Sequence, residues 1–238
     1  MMIKTAWVTD KGGRAINDDT VRILHEYDRA WAYVGDGLGG YAGGKLASEA
    51  AADALMKLCR KESLLAEDRM TQAAELADQA VFRLQEERNG NMKTTLVFLV
   101  IEQGQARWMH VGDSRLYHFH AGRLIDQTRD HSVSQMAVMM GEITPEEIRF
   151  HEDRNRVLRA LGGDNAKAEL SDPITLEEGQ EAFLLCSDGF WEYVYEPEME
   201  DTLEQAENPQ QWLDAMLKIH QTRVPAGNDN YTAAVIFC

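Results

Sequence analysis

The sequence of 238 residues lacks a run of about eighteen apolar residues, and no basic segment followed by an apolar stretch opens it. We therefore expect neither a transmembrane helix nor an export signal. Only three cysteines are present, Cys59, Cys186 and Cys238, and they are widely spaced. This argues against a disulfide framework or a paired-cysteine metal site, and it predicts a protein of the reducing cytoplasm.

Basic residues are scarce, with 24 lysines and arginines against 40 aspartates and glutamates, for a formal charge of -16. Nucleic acids and anionic membranes are disfavoured as partners, because binding their phosphates needs a basic surface. An anionic substrate would have to meet a local positive centre. Cations bound by a group of carboxylates can supply one.

The chain shows no repeat and no linker, and its 44% hydrophobic content can fill one core, so we predict a single domain over 1–238. Its helical patterns cluster between groups of strand patterns, which favours an α+β fold over a doubly wound parallel sheet. The predicted strands are Ala30–Val34, Thr94–Ile101, Ala106–Val111, Arg115–Phe119, Ala182–Cys186 and Thr232–Phe237. The predicted helices are Gly44–Arg60, Thr71–Arg88, Pro209–Thr222 and a short one after Thr144, while the acidic stretch Glu196–Glu204 is interpreted as a solvated face.

Aspartates stand in turns at the ends of several predicted strands. Each one alone is typical of an ordinary turn. Carboxylates that converge on one sheet edge, however, repel each other and need a cation, and hard divalent ions such as Mg²⁺ or Mn²⁺ prefer oxygen ligands. The turns are Val34-Gly35-Asp36-Gly37, Val111-Gly112-Asp113-Ser114, Cys186-Ser187-Asp188-Gly189 and Asn228-Asp229-Asn230, and the pair Asp18-Asp19 follows Arg14 and Asn17.

In chain order these turns belong to seven blocks that resemble the signature blocks of the metal-dependent protein phosphatases, the type 2C family. Each block alone is weak, but seven in order over Arg14–Thr232 make chance a poor explanation. The blocks are Arg14–Asp19, Asp36–Gly40, Gly112–Tyr117, Asp130–Ser132, Arg159–Gly162, Cys186–Trp191 and Asp229–Thr232.

The resemblance implies a four-layer αββα sandwich, in which two antiparallel β-sheets are flanked by helices and a two-metal centre lies in a cleft at one end. It also implies a flap beside the cleft at about 132–164. The implied reaction is hydrolysis of phosphoserine and phosphothreonine on proteins by a metal-activated water. Neither Cys59 nor Cys186 is followed six residues later by an arginine, so a thiol nucleophile is not indicated.

The resemblance further assigns metal ligands. Asp36 would bridge two divalent cations, Mn²⁺ or Mg²⁺. Asp188 and Asp229 would complete one metal site, and Asp18 with the carbonyl of Gly37 would serve the other.

Three more residues receive roles from the same resemblance. Asp19 would orient a metal-bound water without contacting the metal. Arg14 would bind the substrate phosphate, for which its planar guanidinium is suited. Asp113 would join Asp188 at a third, weaker metal site.

Two positions depart from the family pattern. Asp18 stands where the family usually has glutamate, and Leu38 stands where some relatives have a histidine proposed as general acid. Leucine cannot donate a proton, so that step would need water or another group. Of the histidines, His131 is interpreted as a turn residue that bonds backbone, and His110, His118 and His120 as hydrogen-bonded partners within the sheets.

The preferred hypothesis is a monomeric phosphatase that opposes a bacterial Ser/Thr kinase and acts on that kinase and its targets, with type VI secretion control as one setting. One alternative is a catalytically weak or silent family member that acts as a binding or regulatory module. Another is an enzyme that antagonises an anti-sigma-factor phosphorylation switch. Arg14, Asp36, Asp188 and Asp229 argue against the silent form, and Asp18 is its only support.

Overall fold

The computed structural model describes residues 1–39, 43–60 and 63–238. Gly40 of the second signature block lies outside these ranges. Thirteen strands are described: β1 Lys4–Asp10, β2 Thr20–Glu26, β3 Arg29–Gly35, β4 Gly37–Leu38, β5 Lys93–Thr94, β6 Leu96–Glu102, β7 Gln105–Val111, β8 Arg115–His120, β9 Arg123–Gln127, β10 Glu169–Leu170, β11 Ile174–Thr175, β12 Glu181–Cys186 and β13 Tyr231–Phe237. The α-helices are α1 Gly43–Cys59, α2 Glu67–Arg88, α3 Val133–Met139, α4 Asp188–Trp191, α5 Glu196–Glu204 and α6 Pro209–Arg223, and a 3-10 helix spans Pro145–Phe150.

Two antiparallel sheets form the centre of the molecule. One has the strand order β1-β13-β12-β8-β9, and the other has the order β10-β7-β6-β3-β2, with β11 also paired to β7. The short strands β4 and β5 make a separate pair. The first and last strands of the chain are neighbours, since Lys4–Asp10 pairs with Tyr231–Phe237 along its whole length.

Three apolar layers hold the sheets and helices together. Alternate residues of each strand face opposite sides of a sheet, so each sheet contributes to two layers. The layer between the sheets contains Val97, Leu99 and Phe183. On the outer sides, α1 and α2 cover one sheet and α5 and α6 cover the other, with Trp212 of α6 fully buried. The four-layer αββα sandwich is therefore confirmed.

The strand register brings the aspartate turns to one end of the sandwich. Thr20 pairs with Gly35, so Asp19 and Asp36 leave neighbouring strands side by side. Cys186 pairs with Ala233, so the turn after β12 meets the segment before β13. That approach requires glycine, because a Cβ on Gly189 would lie 2.0 Å from the carbonyl oxygen of Asn230.

All six predicted strands and the three long predicted helices are present. The structure adds strands that the sequence did not predict, among them the seven-residue strands β1 and β2 and the two-residue strands β4, β10 and β11, and it starts α2 four residues before Thr71. The short helix after Thr144 is a 3-10 helix, and its capping box joins Thr144 and Glu147 as expected. Within the described ranges, no helix combines the length and the apolar composition that crossing a bilayer requires.

The interpretation of Glu196–Glu204 as a solvated face holds for only part of the stretch, in which Asp201 and Glu204 are exposed. The stretch forms α5, with Met199 buried against the outer side of the sheet. Its glutamates hold neighbouring elements in place: Glu196 accepts a hydrogen bond from Arg149 at 2.7 Å, and Glu200 accepts one from the amide of Leu124 at 2.7 Å. These contacts could not be predicted from the acidic composition, because the residues that make them with α5 lie far away in the chain.

Candidate active site

The predicted aspartates lie in the turns at one end of the two sheets, and their charges act on each other. Burial raises the pKa of Asp36 well above its usual value, and the negative charges of Asp188, Asp19, Asp113 and Asp229 raise it further. These five residues come from five separate segments of the chain. The fold thus places in one electrostatic environment the carboxylates that the sequence pattern singled out.

Asp188 shows the same behaviour from the opposite sheet. Burial raises its pKa well above the usual value, and the charges of Asp113, Glu192 and Asp229 add to the effect. A cluster of this kind takes up protons unless a cation neutralises it. A divalent cation would keep these groups ionised, because its positive charge favours the carboxylate over the protonated form.

Two buried carboxylate oxygens lack a hydrogen-bond partner among the described residues. One is Oδ1 of Asp19, whose side chain is 1% exposed, and the other is Oδ1 of Asp113, at 2%. Burial raises the pKa of Asp19 to about 6 even though Ser187 donates a hydrogen bond to its Oδ2 at 2.6 Å. Unpaired buried polar atoms are costly and therefore rare. Oxygen atoms left free in an acidic cluster fit a hard divalent cation.

Arg14 lies at the rim of this cluster. Its guanidinium donates a hydrogen bond to Oδ2 of Asp229 at 2.8 Å, and more than half of its side-chain surface is exposed. The other Asp229 oxygen, Oδ1, accepts from the amide of Asn230 at 2.8 Å. Arg14 is therefore beside the carboxylates and open to solvent, where an anionic group of a substrate could reach it.

Asn230 joins the segment before β13 to the loop that carries Arg14. Its side-chain amide donates to the carbonyl oxygens of Lys11 and Ile16, both at 2.9 Å. Its Oδ1 accepts from the amide of Asp18 at 2.8 Å. These three bonds fix the loop from both sides. The signature block that contains Asn230 resembles the family pattern, but the loop-holding role of this side chain is visible only in the structure.

A buried network supports Asp113. Arg115 forms a two-bond pair with Asp130, both bonds at 2.8 Å, and its guanidinium stacks 3.4 Å from the centre of the Trp191 ring. Trp191 in turn donates its ring N–H to the carbonyl oxygen of Asp113 at 2.9 Å. Burial and the charge of Asp130 raise the pKa of Asp113 to about 7. Trp191 thus fixes the turn that presents this carboxylate.

Glu192 is a site residue that the sequence reasoning missed. Its charge raises the pKa of both Asp188 and Asp113, and its own pKa is raised by burial. Arg154, from the segment predicted as the flap, donates to Glu192 at 3.0 Å. The only sequence signal was its place four residues after Asp188, at the end of the short helix that Asp188 begins.

The histidines act as predicted within the sheets. His110 bonds the carbonyl oxygen of Arg129 at 2.7 Å, and His131 accepts from the amide of Gly112 through Nδ1 at 3.1 Å. The ligand atoms of His110, His131 and Glu169 lie within 4.8 Å of each other, as a metal site would require. Because Nδ1 of His131 is an acceptor, the proton of the neutral ring is on Nε2, which faces Glu169 at 3.4 Å. This proton favours a hydrogen bond between His131 and Glu169 over a metal ion bound by the three residues.

The comparisons with known proteins agree with this geometry. The model of the protein phosphatase 2C family matches residues 12–223. The serine/threonine phosphatase stp of Listeria welshimeri is 32% identical over 237 residues, covering 96% of this chain and 93% of that protein. The serine/threonine protein phosphatase PstP of Mycobacterium tuberculosis is 33% identical over 246 residues, but the chain spans only 45% of its length.

Solved structures give the same result for the fold. The crystal structure of the M. tuberculosis phosphatase PstP/Ppp has a TM-score of 0.86 at 29% identity and covers 100% of this chain and 99% of that one. The catalytic domain of PstP in complex with two manganese ions has a TM-score of 0.83 at 28% identity, with coverage of 99% and 97%. PppA of Pseudomonas aeruginosa, described as a key regulatory component of the type VI secretion system, has a TM-score of 0.82 at 27% identity, with coverage of 100% and 98%.

The chain belongs to the protein phosphatase 2C family. Membership confirms the family that the seven blocks predicted, and with it an enzyme of the protein phosphatase class that depends on divalent metal ions.

Proposed function

We propose that this chain hydrolyses phosphoserine and phosphothreonine on proteins, using two cations, Mn²⁺ or Mg²⁺, held by the aspartate cluster. The observation that carries the proposal is the set of buried carboxylates with raised pKa values and unpaired oxygens beside Arg14. The names of the relatives support the substrate class, and the two manganese ions of the PstP complex support the metal.

The chain's own residues would divide the work as follows. When bound, two such cations supply an activated water and neutralise charge on the phosphoryl group. Asp36 would contact both cations, Asp188 and Asp229 would complete the first site, and the carbonyl of Gly37 would serve the second. Asp19, whose Oδ2 accepts a hydrogen bond from Ser187, would orient a metal-bound water. Asp113 and Asp188 would form a third, weaker site.

Arg14 would bind the phosphate directly. Its guanidinium is exposed and tied to Asp229 by one hydrogen bond, so its remaining N–H groups stay available. A planar fork can pair with two phosphate oxygens at once. The segment Ser132–Asp164 would act as the flap beside the cleft, and its Arg154 reaches Glu192 at the edge of the cluster.

For the biological setting, we propose a monomeric cytoplasmic enzyme that opposes a bacterial Ser/Thr kinase. The three cysteines are unpaired and buried, which supports a reducing compartment. The likeness to PppA supports type VI secretion as one setting. The silent-member alternative has no support in the geometry, because Asp36, Asp188 and Asp229, which such a member would not need, are gathered in one acidic cluster beside Arg14.

The experiment is hydrolysis of a phosphothreonine peptide and a phosphoserine peptide by metal-stripped protein, before and after Mn²⁺ or Mg²⁺ is added. We expect turnover only with the metal, and its loss when a chelator is added. Asp53→Asn, a change of an exposed aspartate on α1, is the matched control and should behave like wild type. Full activity in metal-free protein would refute the proposal.

A further inference from the structure

Asp18, the aspartate that departs from the family pattern, is bonded to the start of α1. Its Oδ1 accepts a hydrogen bond from the backbone amide of Lys45 at 2.9 Å. Lys45 is the third residue of α1, which begins at Gly43. The first amides of a helix have no acceptor within the helix, and the helix dipole makes this end positive. The carboxylate therefore satisfies one free amide and faces a favourable field.

Further bonds tie the same piece of chain to α1. The hydroxyl of Ser48 donates to the carbonyl oxygen of Asp18 at 2.7 Å, and Nζ of Lys45 donates to the carbonyl oxygen of Asp19 at 2.7 Å. On its other side, the amide of Asp18 is held by Asn230 at 2.8 Å. Asp18 thus connects α1 to the loop that carries the site.

The start of α1 lies directly against Gly37. A Cβ placed on Gly37 would be 2.2 Å from the carbonyl oxygen of Gly44 and 2.6 Å from that of Asp18. A Cβ on Gly44 would be 2.3 Å from the carbonyl oxygen of Gly37. With two backbones this close, a shift of the start of α1 towards Gly37 would displace Gly37. The position of α1 therefore controls the carbonyl oxygen assigned to the second metal.

We propose that Asp18 is a positioning residue, which caps α1 and thereby holds the Gly37 carbonyl in place for the metal, and that it is not itself a metal ligand. Although Asp18 lies far from α1 in the chain, its carboxylate accepts from a first-turn amide as the side chain of an N-cap residue does. A glutamate would carry the carboxylate one methylene further from the backbone of residue 18. The role of Gly37 rests on the proposed function, whereas the capping role does not.

The first test compares Asp18→Ala and Asp18→Asn in metal-free protein. Asparagine keeps the acceptor oxygen and is an equally good cap, whereas alanine loses it. We expect Asp18→Ala to lower the metal-free Tm by about 2–4 °C, while Asp18→Asn stays close to wild type. Asn208→Ala is the matched control: it removes the cap of α6, where Oδ1 accepts from the amide of Gln211 at 3.0 Å, and should lower the Tm similarly.

The second test is calorimetric titration with Mn²⁺. We expect Asp18→Ala to weaken binding by about tenfold or more, as loss of a supporting partner does. Asp18→Asn should weaken it less, although both changes remove the same charge. Asn208→Ala should bind Mn²⁺ like wild type. This comparison shows whether loss of a helix cap weakens metal binding only when the cap lies at the site.

A metal-free Tm for Asp18→Ala equal to or above wild type would overturn the inference. If Asp18 only bound metal and did not cap α1, its removal would cost the metal-free protein no stabilising bond, and the Tm would not fall. If wild type binds no Mn²⁺ at all, the metal centre is wrong, but the metal-free Tm still decides the capping role. The two failures are therefore distinguishable.

Discussion

Strand β12 has a carboxylate near each end: Glu181, its first residue, is buried, and Asp188, two residues after its last, is half-buried. Glu181 accepts hydrogen bonds from His118 at 2.8 Å and from His120 at 3.0 Å, and a third from the amide of Glu177. Although burial alone would raise its pKa, these bonds lower it overall. Burial and nearby negative charges instead raise the pKa of Asp188.

The two carboxylates differ in the number of hydrogen-bond donors that the chain supplies to them. At Glu181 the chain provides its own donors, so this end of the sandwich is complete. At Asp188 the only described donor to the carboxylate is the amide of Gly189, at 2.6 Å, and the surrounding side chains are acidic. That end needs a cation from outside. Substitution of Glu181 should therefore lower the stability of the protein, whereas substitutions in the aspartate cluster should lower its activity.

The largest effect is expected for Asp36→Asn. A neutral amide removes charge from both proposed metal sites, so kcat should fall by more than the ~10²-fold that loss of a merely supporting partner costs. The metal-free Tm should stay the same or rise, because a repelling carboxylate is gone. Phosphopeptide kinetics and thermal unfolding in chelator measure the two. Near-normal turnover would show that Asp36 does not bridge the metals.

Arg14→Ala should lower kcat/KM for a phosphothreonine peptide by about 10²-fold, since one charged contact to the phosphoryl group is lost. Mn²⁺ binding should remain, because Arg14 lies at the rim of the cluster, where its proposed contact is with the substrate and not with the metal. Arg69→Ala, on α2, serves as the control for loss of an exposed arginine. Unchanged kcat/KM in Arg14→Ala would remove the residue from the phosphate site.

Glu181→Gln should leave turnover intact and lower the free energy of unfolding by about 1–3 kcal/mol at pH 7, as expected when a buried charged acceptor is lost. A carboxylate whose pKa is lowered by folding stabilises the protein above its unfolded pKa of about 4.3, and this stabilisation is lost as the pH falls below that value. The difference from wild type should therefore shrink below about pH 4. Denaturant titrations at several pH values test this, with the exposed Glu178→Gln as control.

The smallest effect is expected for Asp113→Ala. If Asp113 serves only a weak third metal, the variant should still bind two ions by calorimetry, with turnover lowered by about tenfold or less. Its metal-free stability should not fall, because the lost carboxylate has an unpaired buried oxygen. Loss of both tightly bound ions would place Asp113 in the main centre and contradict the assignment.

The sequence predicted those parts of the fold that depend on local pattern. Buried strands such as β6 are continuous apolar runs, and α1 and α6 have apolar faces at helical spacing, so their existence could be inferred. Strands β1 and β2 were missed because they lie at the sheet edges, where only part of each strand is buried and the composition is mixed.

The same limit applies to the site. The aspartates could be named because each stands in a recognisable turn next to a strand. Glu192, Asn230 and the bond from Asp18 to α1 could not be predicted, since each depends on contacts between residues distant in the chain. The family pattern gives no reason for an aspartate at position 18. Its proposed role follows from the structure, in which Gly37 lies directly against Gly44 at the start of α1.

The central claim, that the aspartate end of the sandwich needs cations whereas the Glu181 end does not, is tested most directly by calorimetric titration of metal-stripped protein with Mn²⁺. Wild type and Glu181→Gln should each bind two ions tightly, and their Tm should rise with metal, because binding to the native state alone stabilises it. Asp36→Asn should lose both. Tight binding of two ions that survives Asp36→Asn, or is lost in Glu181→Gln, would contradict the account.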